Sequence, residues 1–226
     1  MTRLRIATWN IHGGVGLDRR YSPRRIAAVL DEIGADVVAL NEFGSRPSAL
    51  DLREHLEHAH GVRPLVMPTF VRQGCDFGNA LLSRLPIVSS ACHDISHAAR
   101  EPRNALDAVV EHAGGQLRVL TTHLGLRTSE RRAQIARLAA VLATGTLPTV
   151  LLGDFNEWRR GGLLRELDDR FGMAHAPATF PSPCAVAALD RIWCAPAAAL
   201  VDLRTHRSPR ARVASDHLPL VATLDL

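Results

Sequence analysis

Lysine is missing from this 226-residue chain, so its 27 basic side chains, set against 23 acidic ones, are all arginine. The omission reads as a GC-rich coding bias, and it leaves cations that are all planar, bidentate phosphate ligands. The formal charge of +4 permits an anionic partner without demanding one. Most arginines fall in local groups that read as solvated faces: Arg19 with Arg20, Arg24 with Arg25, Arg131 with Arg132, Arg159 with Arg160, and Arg204 to Arg212. Aromatic residues make up only 4%, which leaves few platforms for stacking on single-stranded bases. The four cysteines, Cys75, Cys92, Cys184 and Cys194, lack paired metal-ligand spacing. They read as reduced and structural, with an even count that leaves a disulfide or two open. No run approaches the roughly eighteen apolar residues of a membrane span, and the Met-Thr-Arg-Leu-Arg start has no signal-peptide core, so the expected location is the cytoplasm. No linker, internal repeat or low-complexity stretch divides the chain. With 46% hydrophobic residues it is expected to fold as a single domain over residues 1–226.

What the chain does have is a recurring event: apolar runs that stop on a polar side chain. Val150-Leu151-Leu152 reads as a buried strand that opens at Gly153 and presents Asp154 and Asn156. Leu4 to Trp9 alternates as a strand and delivers Asn10. Val37 to Leu40 feeds Asn41-Glu42, and Leu117 to Thr122, paired across Gly114-Gly115 with Ala105 to Val110, ends in His123. Leu189 to Trp193 carries Asp190, and Ser215-Asp216-His217 precedes a last strand, Val221 to Leu224. A further strand is expected within Gly78 to Ile87, with a turn before Pro86. Helices are expected from Ser22-Pro23 to Gly34, around Leu50 to Leu56, from Ser129 to Ala143 with its arginines outward, and around Leu163 to Leu167. A proline-rich loop spans Ala176 to Pro183.

Asn10, Glu42, His123, Asp154, Asn156, Asp190, Asp216 and His217 form an oxygen-rich, thiol-free set, which suits Mg²⁺ or Mn²⁺ better than zinc. Phosphate-ester hydrolysis needs such a set: a placed water, charge neutralisation on the equatorial oxygens, and a proton or metal for the leaving oxygen. His12, His55, His58, His60 and His175 lack a partner motif and read as surface residues.

The segments Thr8-Trp9-Asn10, Asn41-Glu42, Thr122-His123-Leu124, Gly153-Asp154-Phe155-Asn156, Asp190-Arg191-Ile192 and Ser215-Asp216-His217 occur in the order found in the endonuclease/exonuclease/phosphatase superfamily. The chain resembles these Mg²⁺-dependent phosphoesterases, which include deoxyribonuclease I, exonuclease III, neutral sphingomyelinases and inositol polyphosphate phosphatases. The resemblance spans nearly the whole chain. It implies an α/β fold of four layers, αββα, in which two mixed β-sheets are flanked by helices. It also implies that Glu42 is the principal metal ligand, with Asn10 and Asp216 nearby, and that Asp154 with Asn156 holds the attacking water, the phosphate or a second metal. His217, oriented by Asp190, would contact the phosphoryl oxygens or move a proton, and His123 would be a second histidine on the phosphate and a candidate acid for the leaving oxygen.

Arg100-Glu101-Pro102-Arg103 resembles a deoxyribonuclease I segment in which an arginine meets phosphate, without deciding between Arg100 and Arg103. Trp158 is a candidate for substrate stacking or for packing. Asn41 stands where the family usually has glutamine, which puts a contact from that amide in doubt. Tyr21, the only tyrosine, lies far from the central tyrosine position of exonuclease III-type enzymes, and His123 also points away from that branch. The expected activity is hydrolysis of a phosphodiester in a nucleic acid, phospholipid or other small diester, with no stable protein partner. The alternatives are a nonspecific DNA nuclease, a lipid or inositol-phosphate hydrolase, and an inactive phosphate-binding module.

Overall fold

The structure, a computed structural model, describes residues 2–44, 51–72, 75–159, 162–172 and 176–226, giving only the backbone at 72 and 75. Leu50, Arg160, His175 and the Cys75 side chain lie outside that description. One sheet has six strands: β1 (Arg3–Asn10), β2 (Val37–Gly44), β3 (Leu65–Arg72), β4 (Cys75–Ser83), β10 (Leu200–Thr205) and β11 (Leu220–Asp225), in the order β10-β11-β1-β2-β4-β3. The other has five, β5 (Ile87–Asp94), β6 (Asn104–His112), β7 (Gly115–His123), β8 (Thr149–Asp154) and β9 (Asp190–Ala195), in sequence order. Helices α1 (Pro23–Ile33) and α2 (Leu52–His60) cover the six-stranded sheet, while α3 (Thr128–Leu142) and α4 (Arg165–Phe171) cover the five-stranded one. A short α5 (Ala211–Ala214) precedes Ser215. No described helix is long and apolar enough to cross a membrane.

Local chemistry sets the helix ends. The Ser22 hydroxyl accepts from the Arg25 N–H, Pro23 occupies the first turn, and Gly34 closes α1 at φ 57°. Asp51 caps α2 by accepting from the N–H groups of Arg53 and Glu54.

Three apolar clusters fill the three interfaces of the αββα sandwich. Leu4, Ile6, Val37, Ala39, Val119, Val150 and Leu152 belong to the layer between the sheets. Ala7, Trp9, Val38 and Leu40 lie under α1 and α2, and Leu120 and Leu151 under α3 and α4. Val150 to Leu152 is therefore continuously apolar because both faces of β8 are covered.

The two-residue strand period then places the site. On β1 the inter-sheet face runs Leu4, Ile6, Thr8, Asn10; on β7, Leu117, Val119, Thr121, His123; on β8, Val150, Leu152, Asp154. β1 and β2 are parallel, as are β7 and β8, so these strands finish at the same end. The antiparallel neighbours begin there: Asp154 faces Asp190 across β8–β9, and Thr8 faces Leu220 across β1–β11, which brings in His217. The polar cleft is thus the end of the inter-sheet core.

Sequence reading missed β3, β5 and β10. β5 is exposed along nearly its whole length, and its Ser-Ser-Ala-Cys-His stretch carries no apolar alternation. The anticipated strand ending at Ile87 divides instead into β4 and β5 around the Arg84–Pro86 turn.

Candidate active site

Eight side chains converge on that end. Asn10 Nδ2 lies 3.0 Å from Glu42 Oε1 and 3.0 Å from Asp154 Oδ2, so one amide bridges acids from the two sheets. Its Oδ1 accepts from the His12 N–H at 3.0 Å. In this rotamer Asn10 offers nitrogen, not oxygen, to the acids, which suits a positioning residue better than the metal ligand anticipated for it.

Glu42 reaches the cleft through an irregularity. The β2–β4 register shifts between Leu40 and Phe43, and Glu42 sits at φ 54°. Asn156 is at φ 50°. Such left-handed non-glycine residues cost about 1–3 kcal/mol each and cluster at functional sites. Between them, Gly153 at φ 142° passes so close to the Thr122 carbonyl that any Cβ would collide with that backbone oxygen.

His217 and His123 face one another across Asp154. Nε2 of His217 is 3.7 Å, and Nε2 of His123 3.5 Å, from Asp154 Oδ2. His217 Nδ1 lies 2.8 Å from Asp190 Oδ2, which also accepts from the Thr179 hydroxyl at 2.5 Å; Asp190 Oδ1 is buried without a partner. Burial alone would lower the His217 imidazole, but Asp190, by charge and hydrogen bond, together with Asp154 and Asp216, carries its pKa up to about 10. His123 goes the other way. Burial, aided by the Arg103 guanidinium and His217 and only partly opposed by Asp154, takes its pKa down to about 3. Arg103 Nη1 lies 3.2 Å from the His123 Nδ1 and Asn156 Nδ2 3.0 Å from its Nε2; a neutral ring accepts from only one of the two, and the Asp154 Oδ2 carboxylate oxygen stands 3.5 Å from Nε2. The lowered pKa weighs against the proton-donor role anticipated for His123. Asn156 Nδ2 also donates to the Leu124 carbonyl at 2.9 Å.

The donor set fits a hard divalent cation. Burial raises the Glu42 pKa; the Asn10 hydrogen bond opposes this, and the charges of Asp154 and Asp216 raise it further. Crowded carboxylates of that kind are relieved by a cation. Asp154, Asp190 and His217 also bring ligand atoms within 4.8 Å of one another in a buried group, in which His217 could serve as a ligand only in its neutral form. Asp216 lies beside it, its Oδ1 accepting from the Ser215 hydroxyl at 3.2 Å.

Arg103 meets His123 and pairs with Glu101 at 2.7 Å, whereas Arg100 is exposed on the preceding turn. That settles which arginine borders the cleft. Trp158 is a rim residue, 62% exposed, with its ring edge-on to Phe180 at 5.6 Å.

Sequence reasoning missed a buried amide chain under the cleft. Asn41 Nδ2 donates to Asn79 Oδ1 at 2.7 Å and to the Thr122 carbonyl at 3.1 Å, and its Oδ1 accepts from the Asp154 N–H at 3.0 Å. Asn79 continues to Asn104 Oδ1 at 3.0 Å. The shorter amide at Asn41 therefore makes its contacts after all. The signal was available in two polar residues beside apolar runs: Asn79, midway along β4 just before Ala80-Leu81-Leu82, and Asn104, the first residue of β6.

Two other expectations are corrected. Arg131 points inward, buried, its Nη2 3.3 Å from Glu157 Oε2 and its Nη1 donating to the Gly125 and Leu126 carbonyls, because the loop after His123 needs acceptors satisfied. The His60 side chain is enclosed, with Nδ1 3.4 Å from Asp31, and burial lowers its pKa. His12 is exposed as expected, and the described cysteines, Cys92, Cys184 and Cys194, are free.

The sequence profile of the Endonuclease/Exonuclease/phosphatase family matches residues 7–217, and the chain belongs to that family. It is 32% identical over 249 residues to the uncharacterized protein YbhP of Escherichia coli (strain K12), across 98% of this chain and 96% of that protein. The crystal structure of an endonuclease/exonuclease/phosphatase from Beutenbergia cavernae superposes with a TM-score of 0.77 at 24% identity, covering 100% of this chain and 72% of that one. D. rerio TDP2 complexed with a single-strand DNA product superposes at 0.71 with 19% identity, covering 100% of both chains. The fold is that of the deoxyribonuclease I-like members, as the resemblance implied.

Proposed function

We propose that this family member hydrolyses phosphodiester bonds with the aid of Mg²⁺ or Mn²⁺. The observation that carries the reading is the Asn10 amide bridging Glu42 and Asp154 at 3.0 Å each, beside a His217–Asp190 pair at 2.8 Å. Carboxylates, amides and a charged imidazole around one opening match what the reaction needs.

Glu42 and Asp216 would hold the ion, with Asp154 within reach. When bound, it would supply positive charge to the phosphoryl oxygens and to the leaving oxygen. Asp154, fixed by Asn10 and by its own Oδ1 accepting from the Asn156 N–H, would orient the attacking water and accept its proton. His217, held by Asp190, would present a protonated Nε2 to a phosphoryl or leaving oxygen. His123, neutral and backed by Arg103, would place the phosphate without donating the proton, and the guanidinium would offset its charge.

Turnover of bis-p-nitrophenyl phosphate with Mg²⁺ tests the reading: wild type should hydrolyse it, chelation should stop it, and Glu42→Ala should remain inactive with metal restored. Metal-independent turnover, or an unaffected Glu42→Ala variant, contradicts it. Plasmid nicking under the same conditions distinguishes a nuclease from a hydrolase of small or lipid diesters.

A further inference from the structure

Among the described residues the four most exposed large apolar side chains are Leu126 and Val186, each 75% exposed, Val71 at 67% and Trp158 at 62%. They come from four segments, and all four segments border the cleft. Leu126 follows His123 by three residues, and Trp158 follows Asn156 by two. Val186 lies on the turn whose N–H bonds back to Phe180, and the Phe180 ring sits 4.8 Å from that of His217. Val71 stands near the tip of the β3–β4 hairpin, opposite Asp76, and the neighbouring Phe77 lines a recess with Glu42, Arg103 and His123. Single exposed apolar residues are ordinary on a soluble surface; the highest exposures of a molecule gathered round one opening are not.

Two of these tips are held rigidly. The buried Arg131–Glu157 pair ties the Gly125-Leu126 carbonyls to the loop carrying Trp158, and the Arg159 N–H donates to Glu157 Oε1 at 2.9 Å. The segments are therefore fixed in place while Leu126 and Trp158 project. Each tip is followed by an exposed arginine, Arg127 and Arg159. Apolar tips backed by cations match an anionic bilayer, where the tips enter the acyl boundary and the guanidinium groups meet lipid phosphates. The net charge of +4 has the complementary sign. A single-stranded nucleic acid is a poorer fit, because three of the four tips are aliphatic and give a base no ring to stack on.

We propose that this rim seats the cleft on an anionic phospholipid bilayer, so that the substrate is a phosphodiester at headgroup level. The inference rests on the phosphodiesterase reading for its chemistry, but the surface is tested separately. Wild type is expected to sediment with phosphatidylglycerol vesicles and not with phosphatidylcholine vesicles. Because Trp9 and Trp193 are fully buried, a blue shift of tryptophan emission on vesicle addition reports Trp158. The Leu126→Ser/Val186→Ser variant should bind phosphatidylglycerol vesicles about tenfold more weakly or worse, from the apolar area lost.

Absence of sedimentation and of the blue shift at low salt overturns the proposal. So does vesicle binding unchanged by the double substitution, or tighter binding of a single-stranded oligonucleotide through the same residues. Bis-p-nitrophenyl phosphate turnover separates the two readings. Turnover without vesicle binding removes the membrane surface and leaves the chemistry, while vesicle binding without turnover does the reverse.

Discussion

His217 and His123 stand on opposite walls of one cleft, buried to nearly the same degree and almost equally distant from one Asp154 oxygen, yet their pKa values move in opposite directions. The difference lies behind each ring. Burial lowers the pKa of both rings; Asp190 behind His217 overrides it, while the Arg103 guanidinium behind His123 adds to it. Burial pushes both imidazoles toward the neutral form, and a carboxylate on the far nitrogen is what reverses that for one of them.

The sharpest way to break this asymmetry is to remove each ring. His217→Ala should lower turnover by about 10³-fold, within the range of a lost general acid. His123→Ala should lose much less, roughly tenfold to hundredfold, as a positioning group. Equal losses in steady-state assays would erase the distinction. Arg103→Met tests the wall behind His123 and should cost about tenfold, expressed mainly in KM because the guanidinium neutralises bound phosphate.

Two predictions set the cleft against charged clusters away from the reacting groups. Arg131→Met strands Glu157 in the interior and should cost about 3 kcal/mol in urea unfolding. Arg131→Met/Glu157→Leu should recover most of that stability while leaving the carbonyls of Gly125 and Leu126 without their donor. The smallest effect concerns Asp107. Burial raises its pKa, but hydrogen bonds from Arg118 and His93 outweigh burial and hold the carboxyl below its ordinary value. A depressed carboxylate contributes stability that is fully present above the unfolded pKa of about 3.9 and is lost as pH falls through the folded value. Urea midpoints should therefore decline on acidification through that window, and Asp107→Asn should show a shallower decline from a lower starting stability.

The cleft was legible in the sequence because each of its strands ends an apolar run on a polar residue, and the two-residue period keeps those residues on the inter-sheet face. Asn10, Glu42, His123, Asp154, Asn156, Asp190, Asp216 and His217 were all named before the fold placed them together. Their division of labour was less legible. Nothing in Thr122-His123-Leu124 reveals that Arg103 lies 3.2 Å from the ring, or that Asn156 faces its other nitrogen. The inward turn of Arg131 was hidden for a similar reason: its helix pattern puts arginines outside, and the acceptors that draw it in come from two loops distant in sequence. Edge strands such as β5 lack the alternation that a half-buried strand would show, because little of β5 is covered.

The most direct test of the account is anomalous diffraction from crystals soaked with Mn²⁺ and phosphate. The account predicts a manganese peak against the Glu42 and Asp216 carboxylates, with phosphate oxygens directed at His217 and His123. Manganese bound away from Glu42, or phosphate bound elsewhere while the cleft holds neither, would contradict it.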